Sequence, residues 1–368
     1  MSSGVAVAAP TSTWLNELVL LGTGTSSQVP AINCVTGSES GCVTCHDAMR
    51  SGSPNRRRCT CAVVTGAPRN RPDARTTILI DCGKSFYESA LNYFPSNDLR
   101  RIDAVLLTHA HADAILGLDD LRSWTMGCCI QEYVDVYLTE ECMETVKYTF
   151  PYLINTKLAT GGGDVGALRW HIIDATKPFT VGQHNVQVVP LRVEHGFVDG
   201  GARPLECLGF RIDTFSYISD CHHIPEPTLQ RLVGSSVVVL DALKMSRHAS
   251  HFSIPQAITC FLDLAERHAA AGLPPAALNL LTDITHRVEH HTTEAQLQAL
   301  LGGMRDWLVE RRGAALPRLW WREIWDDHLN EATQTLALDK PRAPGPAHPL
   351  VPPTTLAFDG MRIKFIRT

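Results

Sequence analysis

A short run of the sequence combines residue types that bind divalent metal ions. Thr108-His109-Ala110-His111-Ala112-Asp113 places two histidines two positions apart and an aspartate two positions further on. The apolar run at 102–107 predicts a buried strand just before it, and extended residues place alternate side chains on one side of the chain. Two imidazoles and a carboxylate can therefore meet at one point, which favours one or two divalent ions there.

Three cysteines form a second group of metal-binding residue types. Cys34, Cys42 and Cys45 lie in a predicted zinc-knuckle loop at 31–46. The C-x2-C spacing of the last two lets two thiolates reach one tetrahedral zinc ion, with His46 as an alternative ligand. Such a loop needs a ligand from elsewhere in the chain, and free thiols without metal are the alternative interpretation.

The elements that must position these residues alternate between strands and helices. Apolar runs predict strands at 17–21, 76–80, 102–107, 186–191, 207–212, 217–219, 236–240 and 278–281, and helical spacing predicts helices at 85–93, 115–124, 139–148, 255–271 and 294–310. Strands with interleaved helices indicate an α/β (α+β layered) fold.

The overall composition excludes several classes of protein. The chain has 368 residues, 44% of them hydrophobic and 19% charged, with a net charge of −5. This excludes collagen-like, coiled-coil and wholly disordered chains. The mild acidity argues against a nucleic-acid partner, and no apolar stretch is long enough to span a bilayer. We therefore expect a cytoplasmic protein, whose reduced cysteines serve metal binding or packing rather than disulfides.

The motifs together resemble the metallo-β-lactamase superfamily. The likeness rests on VLLGTGT at 19–25, on IDCG at 80–83 and on the His-rich motif, which matches most of that family's HxHxDH signature. The family's isolated histidine corresponds to His195 in Glu194-His195-Gly196, and its bridging aspartate to Asp220. Within the superfamily the sequence resembles the phosphodiesterases that hydrolyse phosphoribosyl 1,2-cyclic phosphate, and their eukaryotic relatives.

This resemblance implies an αββα sandwich with metal ions at one edge of the sheets. It implies a single domain over 17–368, after an N-terminal extension at 1–16 and with an insertion at about 311–353. It also implies the metal ligands. These are His109, His111, Asp113, His195 and Asp220 for catalysis, and Cys34, Cys42, Cys45 and His286 for a structural Cys3His zinc.

Two positions depart from the family pattern. Ala114 stands where the signature has a second-metal histidine, and Asp283 stands where an LTHxxH pattern has another. Asp283 is therefore predicted to supply an oxygen ligand in place of a nitrogen. Because the loss of an imidazole shifts metal preference toward harder ions, we expect one or two catalytic ions, either Zn²⁺ or Mn²⁺.

Three residues are predicted to assist catalysis. Asp113 can orient a water molecule or accept its proton, His251 is the preferred general acid, and Lys244 can bind phosphate as a point charge. A capping or packing histidine and a solvated lysine are the alternatives for the last two.

The predicted function is that of a metal-dependent hydrolase, namely a phosphodiesterase acting on a small anionic phosphodiester of cyclic or nucleotide-like type. The alternatives are a thioester or lactone hydrolase, a tRNase Z-like nuclease, and a catalytically impaired metal-binding protein. Neither a membrane nor a nucleic acid is expected as a partner, and a homodimer is left open.

Overall fold

The structure is a computed structural model that describes residues 5–8, 12–37, 41–158, 165–311, 320–321, 329–330, 335–336 and 347–366. Its strands are β1 (Val5–Ala8), β2 (Leu15–Gly22), β3 (Cys61–Gly66), β4 (Thr76–Ile80), β5 (Ala104–Leu106), β6 (Val134–Leu138), β7 (Leu168–Ile172), β8 (Phe179–Val181), β9 (Val186–Val198), β10 (Arg203–Ile212), β11 (Phe215–Ile218), β12 (Val237–Asp241), β13 (Leu278–Thr282), β14 (Leu329–Asn330), β15 (Thr335–Leu336), β16 (Thr354–Leu356) and β17 (Arg362–Ile366). Its α-helices are α1 (Ile32–Thr36), α2 (Val43–Ala48), α3 (Phe86–Tyr93), α4 (Ala112–Ile115), α5 (Arg122–Thr125), α6 (Glu140–Thr149), α7 (Pro151–Ile154), α8 (Glu226–Leu232), α9 (Ile254–Ala270) and α10 (His290–Glu310).

Two mixed sheets make up the centre of the described chain. The first has the strand order β1-β17-β2-β3-β4-β5-β6-β7, and the second has the order β16-β13-β12-β11-β10-β9-β8. Strands β4 to β7 pair in parallel in the first sheet, and β11, β12, β13 and β16 pair in parallel in the second. Strands β2 to β4 and β8 to β11 pair antiparallel. Each sheet therefore has a parallel half whose strands end at one edge.

Alternating side chains explain the layer order, because successive residues of a strand point to opposite faces of its sheet. Leu18 and Leu20 of β2 join a core between the sheets that includes Phe210 of the second sheet. Val19 instead packs with residues of α3 and α6 on the outer face. Leu240 of β12 packs with α9 and α10 on the outer face of the second sheet. The result is the predicted αββα sandwich.

The two segments predicted to flank or interrupt the domain are described only in part. Residues 5–8 of the predicted extension form β1, which pairs in parallel with β17 at the edge of the first sheet. The Ser12 hydroxyl donates a hydrogen bond to Asp213 Oδ2 at 3.0 Å, which also joins this segment to the domain. Most of the predicted insertion at about 311–353 lies outside the described residues.

The prediction of one continuous helix at 115–124 is wrong. The chain forms α4, a 3₁₀ turn at Leu118–Leu121 and then α5. Gly117 separates these segments: its N–H donates to the Cys82 carbonyl at 2.8 Å, and a Cβ at this position would lie 2.4 Å from the Gly83 carbonyl oxygen. A glycine is required here because the chain after the His-rich motif packs directly on the turn after β4.

The residues predicted to bind metal follow strands at one edge of the sandwich. His109 lies three residues after β5 in the first sheet, and His195 lies within β9 in the second. Asp220 and Asp283 follow β11 and β13, and Asp241 is the last residue of β12 between them. Since these three strands are parallel neighbours, their carboxylates are brought to the same edge.

The N-cap residue of helix α10, Glu289, connects this helix to the distant residue Asn55. The Glu289 carboxylate accepts hydrogen bonds from the backbone N–H groups of His291 at 3.2 Å and Thr292 at 2.7 Å. The Asn55 side chain donates to the same carboxylate at 2.7 Å. Although partial burial raises the pKa of Glu289, these hydrogen bonds lower it to about 2, from an ordinary value of 4.5. The ionised carboxylate therefore stabilises the fold.

We expect Glu289→Ala to lower the free energy of unfolding at pH 7 by about 1 kcal/mol, because the helix loses its N-cap. The pKa is lower in the folded protein than in the unfolded chain. The contribution is therefore complete above pH 4.5 and is lost as the pH falls toward 2. Urea unfolding across this range measures the difference. Glu310→Ala at the other end of α10 is the control and should change stability by less than about 0.5 kcal/mol. A loss that is the same at pH 7 and pH 3 would contradict the assignment.

Candidate metal centre

Three imidazoles meet at the edge of the sandwich. The ring centroids of His109, His111 and His195 lie 4.5 to 5.4 Å apart, and one nitrogen of each ring lies within 4.8 Å of the other two. His109 and His195 are buried, whereas His111 is exposed. The sequence placed His195 after a strand ending at 191, but β9 continues to Val198 and includes it. The fold thus brings together the three histidines predicted to share one ion.

Hydrogen bonds fix the buried rings by their second nitrogens. His195 Nδ1 donates to the Ser250 carbonyl at 2.8 Å. His109 Nδ1 lies 2.8 Å from the Thr108 hydroxyl, which in turn contacts both oxygens of Asp81 at 2.9 and 3.0 Å. With the ring proton on Nδ1, the Nε2 lone pair of each histidine faces the other imidazoles, which is the usual arrangement of metal-binding histidines.

Buried polar atoms beside these rings lack protein partners. Within the described part of the chain, His109 Nε2, Asp113 Oδ1 and Asp220 Oδ2 are buried without a hydrogen bond. Asp113 lies 3.9 Å from His109 Nε2, and Asp220 lies 3.8 Å from His195 Nε2. Burial lowers the pKa of His109 to about 3 and lowers that of His195, so both rings are neutral at pH 7. Neutral imidazoles beside carboxylates without donors fit a divalent cation.

His111 and His195 line a cavity of about 520 Å³ that is large enough for a small substrate. The side chains of Thr25, Ser26 and Ser27, which follow the glycine turn after β2, line part of its wall. His248 and His251 line another part. The cavity therefore offers hydroxyl groups and imidazoles around the predicted metal ligands.

The predicted catalytic helpers differ in their position. His251 lines the cavity, and its Nδ1 lies 2.8 Å from Asp241 Oδ2 and 2.9 Å from Asp283 Oδ2. Burial lowers the pKa of His251, but these two carboxylates raise it more strongly. Asp283 is fully buried beside His251 and is not among the described cavity-lining residues. Lys244 is not among them either, so its binding to phosphate stays a prediction.

Sequence reasoning assigned no role to Asp241. The available signal was its position at the end of the apolar run VVVLD, because two other predicted site residues, Asp220 and Asp283, also come just after predicted strands. In the structure its carboxylate is fully buried, accepts a hydrogen bond from the Cys221 N–H at 2.9 Å and holds His251.

The cysteine loop forms a second cluster with a histidine from the segment after β13. One ligand atom from each of Cys34, Cys42, Cys45 and His286 lies within 4.8 Å of the others. The sulfurs of Cys34 and Cys42 are each 3.5 Å from His286 Nδ1. A tetrahedral zinc ion would separate sulfur and nitrogen by about 3.6 Å. Burial raises the pKa of Cys45 to about 12, so its thiolate requires a nearby cation, and the donor set fits zinc.

We expect Cys45→Ser to remove one zinc ion per chain and to expose the cysteine loop to proteolysis, because zinc binding closes this loop. Metal content by mass spectrometry and limited proteolysis measure both effects. Cys128→Ser changes an exposed cysteine outside the cluster and should leave zinc content unchanged. Equal zinc content in the two variants would exclude the Cys3His site.

A family model described as the beta-lactamase superfamily domain matches residues 76–271. The chain belongs to this superfamily. An octanoyltransferase of Porphyromonas gingivalis is 30% identical over 241 residues, which cover 65% of this chain and 42% of that protein. A ribonuclease Z of Bradyrhizobium diazoefficiens is 42% identical over 73 residues, which cover 18% of this chain and 23% of that protein. The chain thus spans less than half the length of these curated relatives.

Solved structures share the fold. A diphosphatase from the PhnP family is 27% identical with a TM-score of 0.58, over 77% of this chain and 91% of that chain. Zinc-bound PqqB from Methylobacterium extorquens is 17% identical with a TM-score of 0.53, over 73% of this chain and 89% of that chain. The PqqB likeness concerns the fold alone. None of the described helices has the length and apolar character that crossing a membrane requires.

Proposed function

We propose that this chain is a metal-dependent phosphodiesterase acting on a small cyclic or nucleotide-like phosphodiester. The observation that carries the proposal is the group formed by His109, His111 and His195, with a buried unpartnered nitrogen, at a cavity of about 520 Å³. Members of the superfamily are metal-dependent hydrolases. The likeness to a diphosphatase over most of both chains supports a phosphate ester as substrate.

A divalent ion bound by the three imidazoles would supply a water molecule of lowered pKa and would polarise a phosphoryl oxygen. The protein side chains perform the remaining tasks. Asp113 and Asp220 lie beside the imidazoles, where their carboxylates can orient a water molecule and accept its proton. Both carboxylates are buried, so bulk water competes little with a hydrogen bond between either carboxylate and a bound water molecule.

Substrate binding and proton donation are assigned to different residues of the cavity wall. The hydroxyls of Thr25, Ser26 and Ser27 can donate hydrogen bonds to phosphate or sugar oxygens. His248 and His251 are the imidazoles outside the first metal position that line the described cavity. A protonated imidazole there can donate to the leaving alkoxide, a contribution typical of general acids. We assign the proton donor to this pair.

We expect His109→Ala to lose one bound metal ion and to lower kcat/KM for bis(p-nitrophenyl) phosphate by about 10³-fold or more, because a catalytic ion contributes several kcal/mol. Metal analysis and initial rates measure the two effects. His184→Ala, in the turn between β8 and β9, is the matched control and should retain both metal and activity. Unchanged hydrolysis by His109→Ala would refute the proposal.

The substrate class is tested by a panel assayed on the same preparation. Cyclic phosphodiesters, nucleoside diphosphate esters, an octanoyl thioester, a lactone and a precursor tRNA cover the relevant classes. The thioester is included because one relative is named an octanoyltransferase, and the tRNA because another is named a ribonuclease Z. We expect the highest kcat/KM for a small phosphodiester. Preference for the thioester or the tRNA would replace the proposed substrate class, and no turnover with metal bound would indicate a metal-binding protein without this activity.

A further inference from the structure

The second catalytic ion position lacks both histidines that the family pattern contains. Ala114 is buried at one of these sequence positions, so no imidazole comes from there. Asp283 stands at the other, and its carboxylate lies beside His251. Asp113 and Asp220 remain near the first imidazoles. Two carboxylates alone are a sparse ligand set for a transition metal ion.

His251 is placed to supply the missing imidazole. Its ring centroid lies 4.8 Å from that of His195, and its ligand atom lies within 4.8 Å of those of His195 and Asp220. Asp220 Oδ2 is buried and has no hydrogen-bond partner among the described residues. A cation between Asp220 and His251 would interact with this oxygen. Without such a partner, burial of the charged oxygen destabilises the folded protein.

The contacts of the other ring nitrogen agree with a ligand role. His251 Nδ1 donates to Asp241 Oδ2 at 2.8 Å. Asp283 Oδ2 lies 2.9 Å from the same nitrogen without accepting a hydrogen bond, and its negative charge favours positive charge at the ring, whether from a proton or from a metal ion bound at Nε2. His195 is held in the same way by the Ser250 carbonyl. A histidine that binds metal commonly donates its second N–H to a carboxylate or carbonyl, which leaves the lone pair of the other nitrogen for the ion.

We propose that His251 binds a second catalytic metal ion through Nε2, with Asp220 as the adjacent oxygen ligand and Asp113, whose buried Oδ1 lacks a partner among the described residues, as the other. Asp241 and Asp283 hold the ring, so Asp283 is a positioning residue rather than a ligand. This inference rests on the proposed function, because it concerns the same centre. One imidazole with two carboxylates favours a harder ion than three imidazoles do. The centre therefore holds zinc at the first position and an ion such as Mn²⁺ at the second, and His248 becomes the proton donor.

The test counts metal ions in the full-length chain. Protein loaded with two equivalents of Zn²⁺ is dialysed against increasing Mn²⁺, and bound metals are measured by mass spectrometry. We expect the parent to retain two zinc ions and to bind one manganese ion. His251→Ala and His251→Gln should weaken manganese binding by more than about 100-fold while both zinc ions stay, since loss of an outer partner alone costs about 10- to 100-fold.

Asp283→Asn tests the positioning role separately. Residue 283 has a left-handed backbone conformation with φ of 61°, which asparagine adopts more readily than most residues, so this variant should fold. We expect manganese affinity to fall by about 10- to 100-fold, with both zinc ions retained. Asp283→Glu, which restores the carboxylate, should recover part of the affinity. A loss of stability without a change in manganese affinity would show a merely structural residue.

His248→Ala is the matched control, because it removes a neighbouring cavity imidazole that the proposal does not use as a ligand. It should bind all three ions. Manganese binding by His251→Ala at parental affinity, with slower cleavage of alkyl esters, would overturn the proposal and return His251 to the role of general acid. A parent chain that binds only its two zinc ions would also overturn it. Neither result affects the proposed function, which the His109→Ala variant and the substrate panel test separately.

Discussion

Buried carboxylates at the edge of the two sheets determine which groups must surround them. Asp81, Asp220, Asp241 and Asp283 are each at most 4% exposed, and a carboxylate in such surroundings needs hydrogen-bond donors or a cation. Asp81 is satisfied by the backbone and hydroxyl of Thr108. Asp241 accepts hydrogen bonds from a backbone N–H and from an imidazole. Oxygens of Asp220, Asp241 and Asp283 remain without donors among the described residues, and positive charge at this edge would satisfy them.

The segment after β13 connects this edge to the cysteine cluster. It carries Asp283 beside His251, and three residues later His286 beside the cysteines. Arg57 is fully buried and donates hydrogen bonds to the carbonyls of Thr285 at 3.0 Å and Val288 at 2.9 Å. The cysteine cluster therefore connects the cysteine loop to the segment after β13. Zinc there would hold the same segment that places the Asp283 carboxylate.

The two proposed ion positions lie next to each other but offer different ligand types. The first is formed by three imidazoles, whose buried members are neutral because burial lowers their pKa. The second is dominated by carboxylates, since Ala114 contributes no ligand and Asp283 contacts His251. Nitrogen-rich and oxygen-rich ligand sets select different divalent ions. In the proposed centre, the loss of two histidines at conventional positions changes which metal ions bind and does not abolish metal binding.

Local patterns in the sequence identified the layered fold and most of the residues that the structure gathers at the edge. The β-branched run at 76–80 coincides with β4, because β-branched side chains favour extended backbone and pack well in a buried strand. The helix predicted at 115–124 failed because the contact of Gly117 with the Gly83 carbonyl is made between residues far apart in sequence.

The spacing of His109, His111 and Asp113 was enough to predict a metal site from the sequence. Residues this close in the chain can direct their side chains to one point without help from distant parts of the fold. The partners of His251 were decided by the tertiary structure alone. The carboxylates of Asp241 and Asp283 reach its ring because two parallel strands, whose paired residues are 41 positions apart in the chain, end side by side. The sequence shows which residue types are available to form a site. Sheet register determines which of them share a contact, because hydrogen bonds and buried charges act over a few ångströms in space.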